Sequence, residues 1–135
     1  MGASPEEVRK MIVAFPTLFN LSIEDNVVPK LTFFREGLGG NKDEVCAAVV
    51  KTPAILGYSM TGRLSPRLCV IKKNKLQVSF AQHYWHVTSY TDRKFKMWLG
   101  QEIAEVVRQE GGGIEERQRR AKDSLRILRG QEPLL

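Results

Sequence analysis

The sequence predicts an all-α fold: a helical-repeat solenoid of two-helix units, with two full units, an atypical third and a C-terminal helix. The first observation is an internal repeat, because Pro16 and Pro29 recur 37 residues later as Pro53 and Pro66. The second is apolar spacing at i, i+3, i+4 and i+7, which is typical of helices. Repeats of this length with helical patterning indicate stacked units that bury each other's apolar faces. Other matched pairs are Ser4 with Asn41, Glu7 with Glu44, Val8 with Val45, Leu18 with Ile55, Ser22 with Ser59, Lys30 with Arg67 and Leu31 with Leu68.

Each full unit begins with a helix that is defined by the residues at its two ends. Ser4 is a good N-cap, followed by Pro5 and by acidic residues in the first turn, and Asn41 repeats this start. Pro16 and Pro53 end these helices, because proline has no N–H to donate and disfavours helical geometry at the residue before it. The predicted buried faces are Val8, Met11, Ile12 and Phe15 in the first unit and Val45, Ala48 and Val49 in the second.

The second helix of the first unit is predicted from about Ser22 to Glu36, and its counterpart in the second unit from Ser59 or Thr61. Pro29 and Pro66 are expected in or just before the first full turn, where a lost hydrogen bond matters least. The predicted apolar stripes are Val28, Leu31, Phe34 and Leu38 in one helix and Leu64, Leu68 and Ile71 in the other.

The third unit departs from the pattern after a degenerate first helix within residues 76 to 87. Thr91 is the expected N-cap of a last long helix that reaches about Gln109 and buries Phe95, Trp98, Leu99 and Ile103. Gly111 to Gly113 are predicted to form a flexible break. The predicted boundaries are 4–40, 41–76 and 77–110 for the units within a repeat domain 1–110, and 111–135 for the glycine linker and basic tail.

The positive charge is concentrated in the middle of the chain. The net charge is +6, but residues 51 to 100 contain nine Lys and Arg against Asp92 alone, a local charge of +8. A concentrated charge of one sign is the footprint expected for a polyanion partner, and a solvated basic face is the alternative.

The stretch SPEEVRKMIVAFPTLFNLSIEDNVVPKLTFFREGLGG resembles a repeat of the mitochondrial transcription termination factor (mTERF) family. The resemblance runs from an acidic-capped helix through Phe-Pro-x-Leu to Pro-Lys-Leu and a closing Leu-Gly, and residues 41 to 76 repeat it with KNKL in place of Leu-Gly. TDRKFKMWLG is similar to the usual last element of the family. Over about residues 4 to 100, this resemblance implies a solenoid with a basic concave groove, non-catalytic nucleic-acid binding, and residence in mitochondria or chloroplasts.

The sequence predicts a nucleic-acid-binding basic strip. Lys30 and Arg67 follow proline in the same position of successive units, so stacking is expected to line them along one surface. No arrangement of Arg with Asn or Gln suggests base reading, so backbone contacts with double-stranded DNA or structured RNA are predicted. The alternative is that Lys72 and its neighbours complement a helix dipole. The predicted strip is Lys30, Arg63, Arg67, Lys72, Lys73, Lys75, Arg93, Lys94 and Lys96.

The tail helix supports a second interpretation. Its narrow apolar stripe has no obvious core of its own, so it is expected to fray or to dock on a protein partner through Ile114, Ala121, Leu125 and Leu128. The small number of repeats agrees with this interpretation. The chain also begins inside the repeat pattern, as is expected of a fragment of a longer repeat protein or of a member reduced to an adaptor. The alternative function is therefore a structural or adaptor subunit of a large organellar complex such as a ribosome, binding mainly protein or rRNA.

The sequence predicts no enzyme activity, cofactor or metal site. His83 and His86 form an HxxH pair, but zinc requires three or four ligands. Two roles are open for the aromatic residues Tyr84, Trp85 and Tyr90: they stack on unpaired bases or they pack between units. Packing is the favoured prediction. There is also no Ser/His/Asp or paired-carboxylate arrangement on which catalysis could rest.

Overall fold

The computed structural model describes residues 2–131. This part of the chain contains α-helices and helical turns without a β-strand, which confirms the all-α prediction. Short 3₁₀ turns span Pro16–Asn20 and Pro53–Gly57, and wider helical turns span Ile23–Val27, Phe33–Gly37 and Met60–Leu64. The α-helices are α1 (Pro5–Ala14), α2 (Val28–Thr32), α3 (Lys42–Lys51), α4 (Ser65–Lys73), α5 (Phe80–Thr88), α6 (Asp92–Gln109) and α7 (Ile114–Leu128).

These elements form two compact units. The N-terminal unit contains the described residues up to Ser59 together with Ser79–Tyr84, and the C-terminal unit contains Met60–Val78 and the described residues from Trp85 onward. We call residues 4–40 repeat 1 and residues 41–76 repeat 2. The boundary between the compact units therefore falls inside repeat 2, between its first and second helical segments.

The starts of α1 and α3 confirm the predicted caps. The Ser4 hydroxyl accepts a hydrogen bond from the Glu7 N–H at 3.2 Å, and the Glu7 carboxylate accepts one from the Ser4 N–H at 2.9 Å. Asn41 and Glu44 make the same reciprocal pair at 2.8 and 3.0 Å. Two of the donors that a helix N-terminus leaves without intrahelical partners are satisfied in this way.

In the N-terminal unit, repeat 1 packs on the first half of repeat 2. Helix α1 lies against α3, and the 3₁₀ turn Pro16–Asn20 lies against the turn Pro53–Gly57. Both turns begin at the proline that ends the preceding helix, as predicted. The buried side chains include Met11, Phe34, Leu38, Val45, Ala48, Val49, Ile55 and Leu56.

Wide turns place the second prolines deeper in the helical path than predicted. Pro29 and Pro66 occupy the second positions of α2 and α4, but each helical path has already begun one turn earlier, at Ile23 and Met60. In repeat 1 the Val28 N–H reaches back five residues to the Ile23 carbonyl. This extra residue shifts the phase of the helix, and Val28 is exposed although the apolar spacing predicts that it is buried.

The C-terminal unit is built on α4, α6 and α7. Thr91 caps α6 as predicted, and Phe95, Leu99 and Ile103 are buried together with Val107, while Trp98 is half-buried. Helix α7 packs on both α4 and α6. No helix in the described part of the chain combines the length and the apolar character that are needed to cross a bilayer.

The break expected at Gly111 to Gly113 is a hydrogen-bonded turn. Gly111 has a φ of +79°, and its N–H donates to the Arg108 carbonyl at 3.1 Å, while the Gly112 N–H donates to the Val107 carbonyl at 2.8 Å. Glycine suits this position because a side chain is strained at such a φ. The turn joins α6 to α7 directly, and flexibility at these three glycines stays a prediction.

Candidate nucleic-acid interface

Lys30 lies inside the N-terminal unit, so its predicted place on an exposed basic strip is wrong. Its side chain is 5% exposed, and its ammonium donates to the Asn26 side chain and to the Leu56 carbonyl. That carbonyl lies in the 3₁₀ turn of repeat 2, where carbonyl groups lack the partners that a longer helix would supply. Burial lowers the pKa of Lys30 below its ordinary value. The cation therefore holds the two repeats together instead of facing solvent.

Arg67 has the equivalent structural role in the C-terminal unit, which corrects its predicted exposure as well. Its side chain is 2% exposed, and the guanidinium donates to the carbonyls of His86 and Val87 at 3.3 and 3.1 Å. It also pairs with the Asp92 carboxylate at 3.1 Å and lies 4.7 Å from the centre of the Phe95 ring. In both repeats, the cation that follows proline therefore donates to carbonyl groups near the C-terminal end of a later helical segment.

The other seven predicted cations all lie in the C-terminal unit. Arg63 is half-buried and donates to the Thr88 carbonyl at 3.0 Å. The Lys94 ammonium lies 4.9 Å from the centre of the Tyr90 ring. The exposed members are Lys72, Lys73, Lys75, Arg93, Lys94 and Lys96.

Four of these cations border two separate clefts. Arg63 and Lys96 line a cleft of about 80 Å³ that the buried Arg67 and the exposed Asp92 also line. Lys73 and Lys75 line a second cleft of about 190 Å³ that also holds cations of α7. The α7 members of the second cleft are Arg119 and Arg120, which the sequence prediction omitted although their basic run was visible.

The effect of each cation on its helix depends on which end of the helix it occupies. Lys72 and Lys73 lie in the last turn of α4, where positive charge stabilises the helix. Arg93 and Lys94 lie in the first turn of α6, and Lys96 follows, at the helix end where positive charge is unfavourable. Cations at a helix N-terminus add to the field of its N–H groups, and both attract an anion such as phosphate.

A charged network holds the start of α7. Glu116 accepts hydrogen bonds from Arg119 at 2.6 Å and from Arg120 at 2.8 Å, and Arg120 also reaches Glu110 at 2.6 Å. The bonds from Arg119 and then from Arg120 lower the pKa of Glu116 to about 2. The ionised carboxylate is thus favoured by folding.

We expect Glu116→Gln to lower the melting temperature at pH 7 but not near pH 2. The pKa of Glu116 is lower in the folded chain than its ordinary value of 4.5, so its stabilising effect is present above pH 4.5 and is lost as the pH falls through about 2. Thermal unfolding of both proteins across this range tests the expectation. Equal melting temperatures at pH 7 would contradict it.

The tail helix is not without a core, contrary to the sequence prediction. Its buried residues are Ser124 and Ile127, and the Asn74 amide donates to the Ser124 hydroxyl at 2.8 Å. Of the predicted partner-binding residues, Ile114 is exposed, whereas Ala121, Leu125 and Leu128 are half-buried. Partner binding by these four side chains stays a prediction.

The aromatic and histidine residues contribute mainly packing. The His86 ring lies 4.5 Å from that of Tyr90 and 5.0 Å from that of Trp98, measured between centroids. Trp85 differs, because it is 44% exposed although packing was the favoured prediction for it. Within residues 2–131, no cluster of three or more His, Cys, Asp or Glu side chains is arranged to hold a metal ion.

Repeats of helix, 3₁₀ turn and helix define a helical-repeat protein, and an exposed group of cations is the footprint expected for a polyanion partner. The sequence profile of the mTERF family matches residues 1–96, and the chain belongs to this family. The family is organellar, in mitochondria or chloroplasts, and is associated with nucleic-acid binding and transcription regulation.

One curated relative is "Transcription termination factor MTERF5, chloroplastic" from Arabidopsis thaliana, which is 27% identical over 81 residues. The match covers 60% of this chain and 15% of the relative, so the chain spans only a small part of that protein's length. No solved structure matches the chain.

Proposed function

We propose that this protein is a non-catalytic nucleic-acid-binding member of its family that acts in organellar gene expression, through transcription termination or regulation. The cations of the C-terminal unit contact the phosphate backbone of double-stranded DNA or structured RNA. Membership of the mTERF family supports the general role, and the exposed charge of the C-terminal unit supports the mode of binding.

The observation that carries the proposal is the pairing of Asp92. It is the only carboxylate among residues 51 to 100, and its contact is with the buried Arg67. One of its oxygens pairs with a structural cation although the side chain is 81% exposed, and the exposed Arg93, Lys94 and Lys96 outnumber it on the same helix. A phosphate is the natural counter-charge for such a group, since binding also releases condensed counterions from the nucleic acid.

The proposed contacts position the nucleic acid and do not read its sequence. Lys and Arg contacts to phosphate oxygens carry no sequence information directly. We therefore expect similar affinities for unrelated duplexes of equal length, with a strong dependence on salt concentration.

The test is a triple substitution of Arg93, Lys94 and Lys96 by alanine. At about 50 mM salt we expect affinity for a duplex DNA or a structured RNA to fall by about tenfold or more, because three phosphate contacts are lost. The slope of log affinity against log salt should fall by about 0.9 for each contact on duplex DNA. Fluorescence anisotropy at several salt concentrations measures both quantities.

The matched control removes three exposed cations of the N-terminal unit. Replacing Lys10, Lys42 and Lys51 by alanine changes the net charge equally but lies outside the proposed interface. This variant should keep wild-type affinity within about twofold. Equal losses in the two triple variants would reject the proposed interface, and failure of the wild-type chain to bind at about 50 mM salt would reject the function.

The adaptor interpretation has one remaining structural observation in its favour. Ile114 is 61% exposed at the start of α7 and borders a cleft of about 410 Å³ together with Gln101 and Arg117. If nuclease-treated native protein stays in a large complex and Ile114→Ser releases it, the adaptor role is supported. If nuclease alone releases it, nucleic-acid binding is supported.

A further inference from the structure

The two repeats bury equivalent positions to very different extents. Val45 is 3% exposed in repeat 2, whereas Val8 at the equivalent position of repeat 1 is 38% exposed. Leu56 is 2% exposed, whereas its equivalent, Phe19, is 75% exposed. The sequence thus places apolar side chains at the same positions of both repeats, but the described chain covers them in one repeat only.

Repeat 1 is what covers these positions in repeat 2. Helix α1 and the turn Pro16–Asn20 pack against α3 and the turn Pro53–Gly57. The Phe15 ring lies so close to Gly57 that an added Cβ there would be 2.9 Å from it. The Lys30 ammonium completes the contact by donating to the Leu56 carbonyl. An apolar surface, an aromatic ring over a glycine and a cation on a carbonyl therefore define how one repeat stacks on the next.

The equivalent surface of repeat 1, which we call the front face, has the apolar part of this arrangement. It consists of the strongly exposed Phe19, the moderately exposed Val8 and the half-buried Ile12, and Val13 and Ile23 of the same repeat are strongly exposed. The carbonyl equivalent to that of Leu56 belongs to Phe19. A group of exposed large apolar side chains on one repeat is typical of an interaction site, because apolar surface is costly to leave in water.

We propose that the front face is a docking surface for a further helical repeat of the same type, stacked on repeat 1 as repeat 1 stacks on repeat 2. The occupant has an apolar face that covers Phe19 and Val8, and a Lys or Arg after proline that donates to the Phe19 carbonyl. A generic amphipathic helix lacks the second feature. Two copies of this chain meeting by their front faces lack it as well, since Lys30 lies buried on the opposite contact of repeat 1.

The test is a full-length chain with one extra copy of residues 4–40 placed directly before Ser4, which keeps the natural spacing between repeats. The receiving repeat carries Asn20→Gly, because Asn20 is equivalent to Gly57 and would meet the ring of the added Phe15. We expect amide hydrogen exchange in the receiving α1 and Pro16–Asn20 turn to slow by about tenfold or more, relative to the unextended Asn20→Gly chain.

The control is the same extended chain with Phe19→Ser in the receiving repeat, which should lose most of the added protection. If amide hydrogen exchange in the receiving repeat is unchanged, the proposal is overturned. This holds even if the added copy stays unfolded, because repeat 1 itself folds when it packs on the equivalent surface of repeat 2. Sedimentation of the unextended chain tests whether a second copy of this chain covers the front face instead. A monomer at micromolar concentration agrees with the proposal, and a dimer abolished by Phe19→Ser would show that a second copy covers the front face and would overturn the assignment.

Discussion

Arg67→Ala is expected to lower the free energy of unfolding by about 3–5 kcal/mol, because two carbonyls lose a charged donor and a large buried side chain is removed. The ion pair with Asp92 contributes little of this loss, because the Asp92 side chain is 81% exposed and is screened by solvent. Most of the loss comes from the carbonyls of His86 and Val87, which lose their donor, and from the cavity beside Phe95.

Urea unfolding of the full chain measures this loss, with the exposed Arg93→Ala as the control, for which the change should stay within about 0.5 kcal/mol. Arg67→Lys should fall between the two, since an ammonium keeps the charge but cannot reproduce the planar set of donors. A loss below about 1 kcal/mol for Arg67→Ala would show that water replaces the guanidinium at these carbonyls.

Gly40→Ala is expected to cost about 2–3 kcal/mol, because it overpacks the core of the N-terminal unit. A Cβ at Gly40 would lie 2.5 Å from the Phe80 ring and 2.9 Å from the Cβ of Phe80. Rotating the ring cannot relieve the second contact, so the backbone must move. Phe80 is itself held between Phe34 and Tyr84, with ring centroids 5.6 and 5.1 Å away.

Gly100→Ala is the matched control for thermal and urea unfolding. Gly100 lies within α6, and apart from its chain neighbours and the local helix backbone nothing lies within 4 Å of an added Cβ, so alanine should be neutral or stabilise the helix by up to about 1 kcal/mol. Similar effects of the two substitutions would show that the Phe80 contact is not the reason for glycine at position 40.

The repeat, its caps and its helix ends were predictable because they depend on local chemistry. Ser4 and Asn41 cap their helices whatever surrounds them, and proline ends a helix for reasons internal to the backbone. The burial of Lys30 and Arg67 was not predictable in this way. A cation in the sequence shows its charge but not whether a carbonyl from another repeat lies within its reach.

The position of α7 was missed for a related reason. A pattern of apolar residues predicts which apolar side chains are buried. The packed face of α7 instead includes the buried Ser124, a polar residue whose hydroxyl accepts a hydrogen bond from the Asn74 amide of the C-terminal unit. The separation of the basic residues into two clefts likewise depends on how α7 lies against α4, which periodicity does not encode.

The burial of Lys30 makes this lysine a natural reporter of contact between the two repeats. An amine-acylating reagent should modify exposed side chains such as Lys72 and Lys73 rapidly in the native protein, and Lys30 only when repeat 1 separates from repeat 2. The ratio of these labelling rates, read by peptide mass spectrometry, would therefore give the frequency of local opening at the stacking contact without any substitution in the chain.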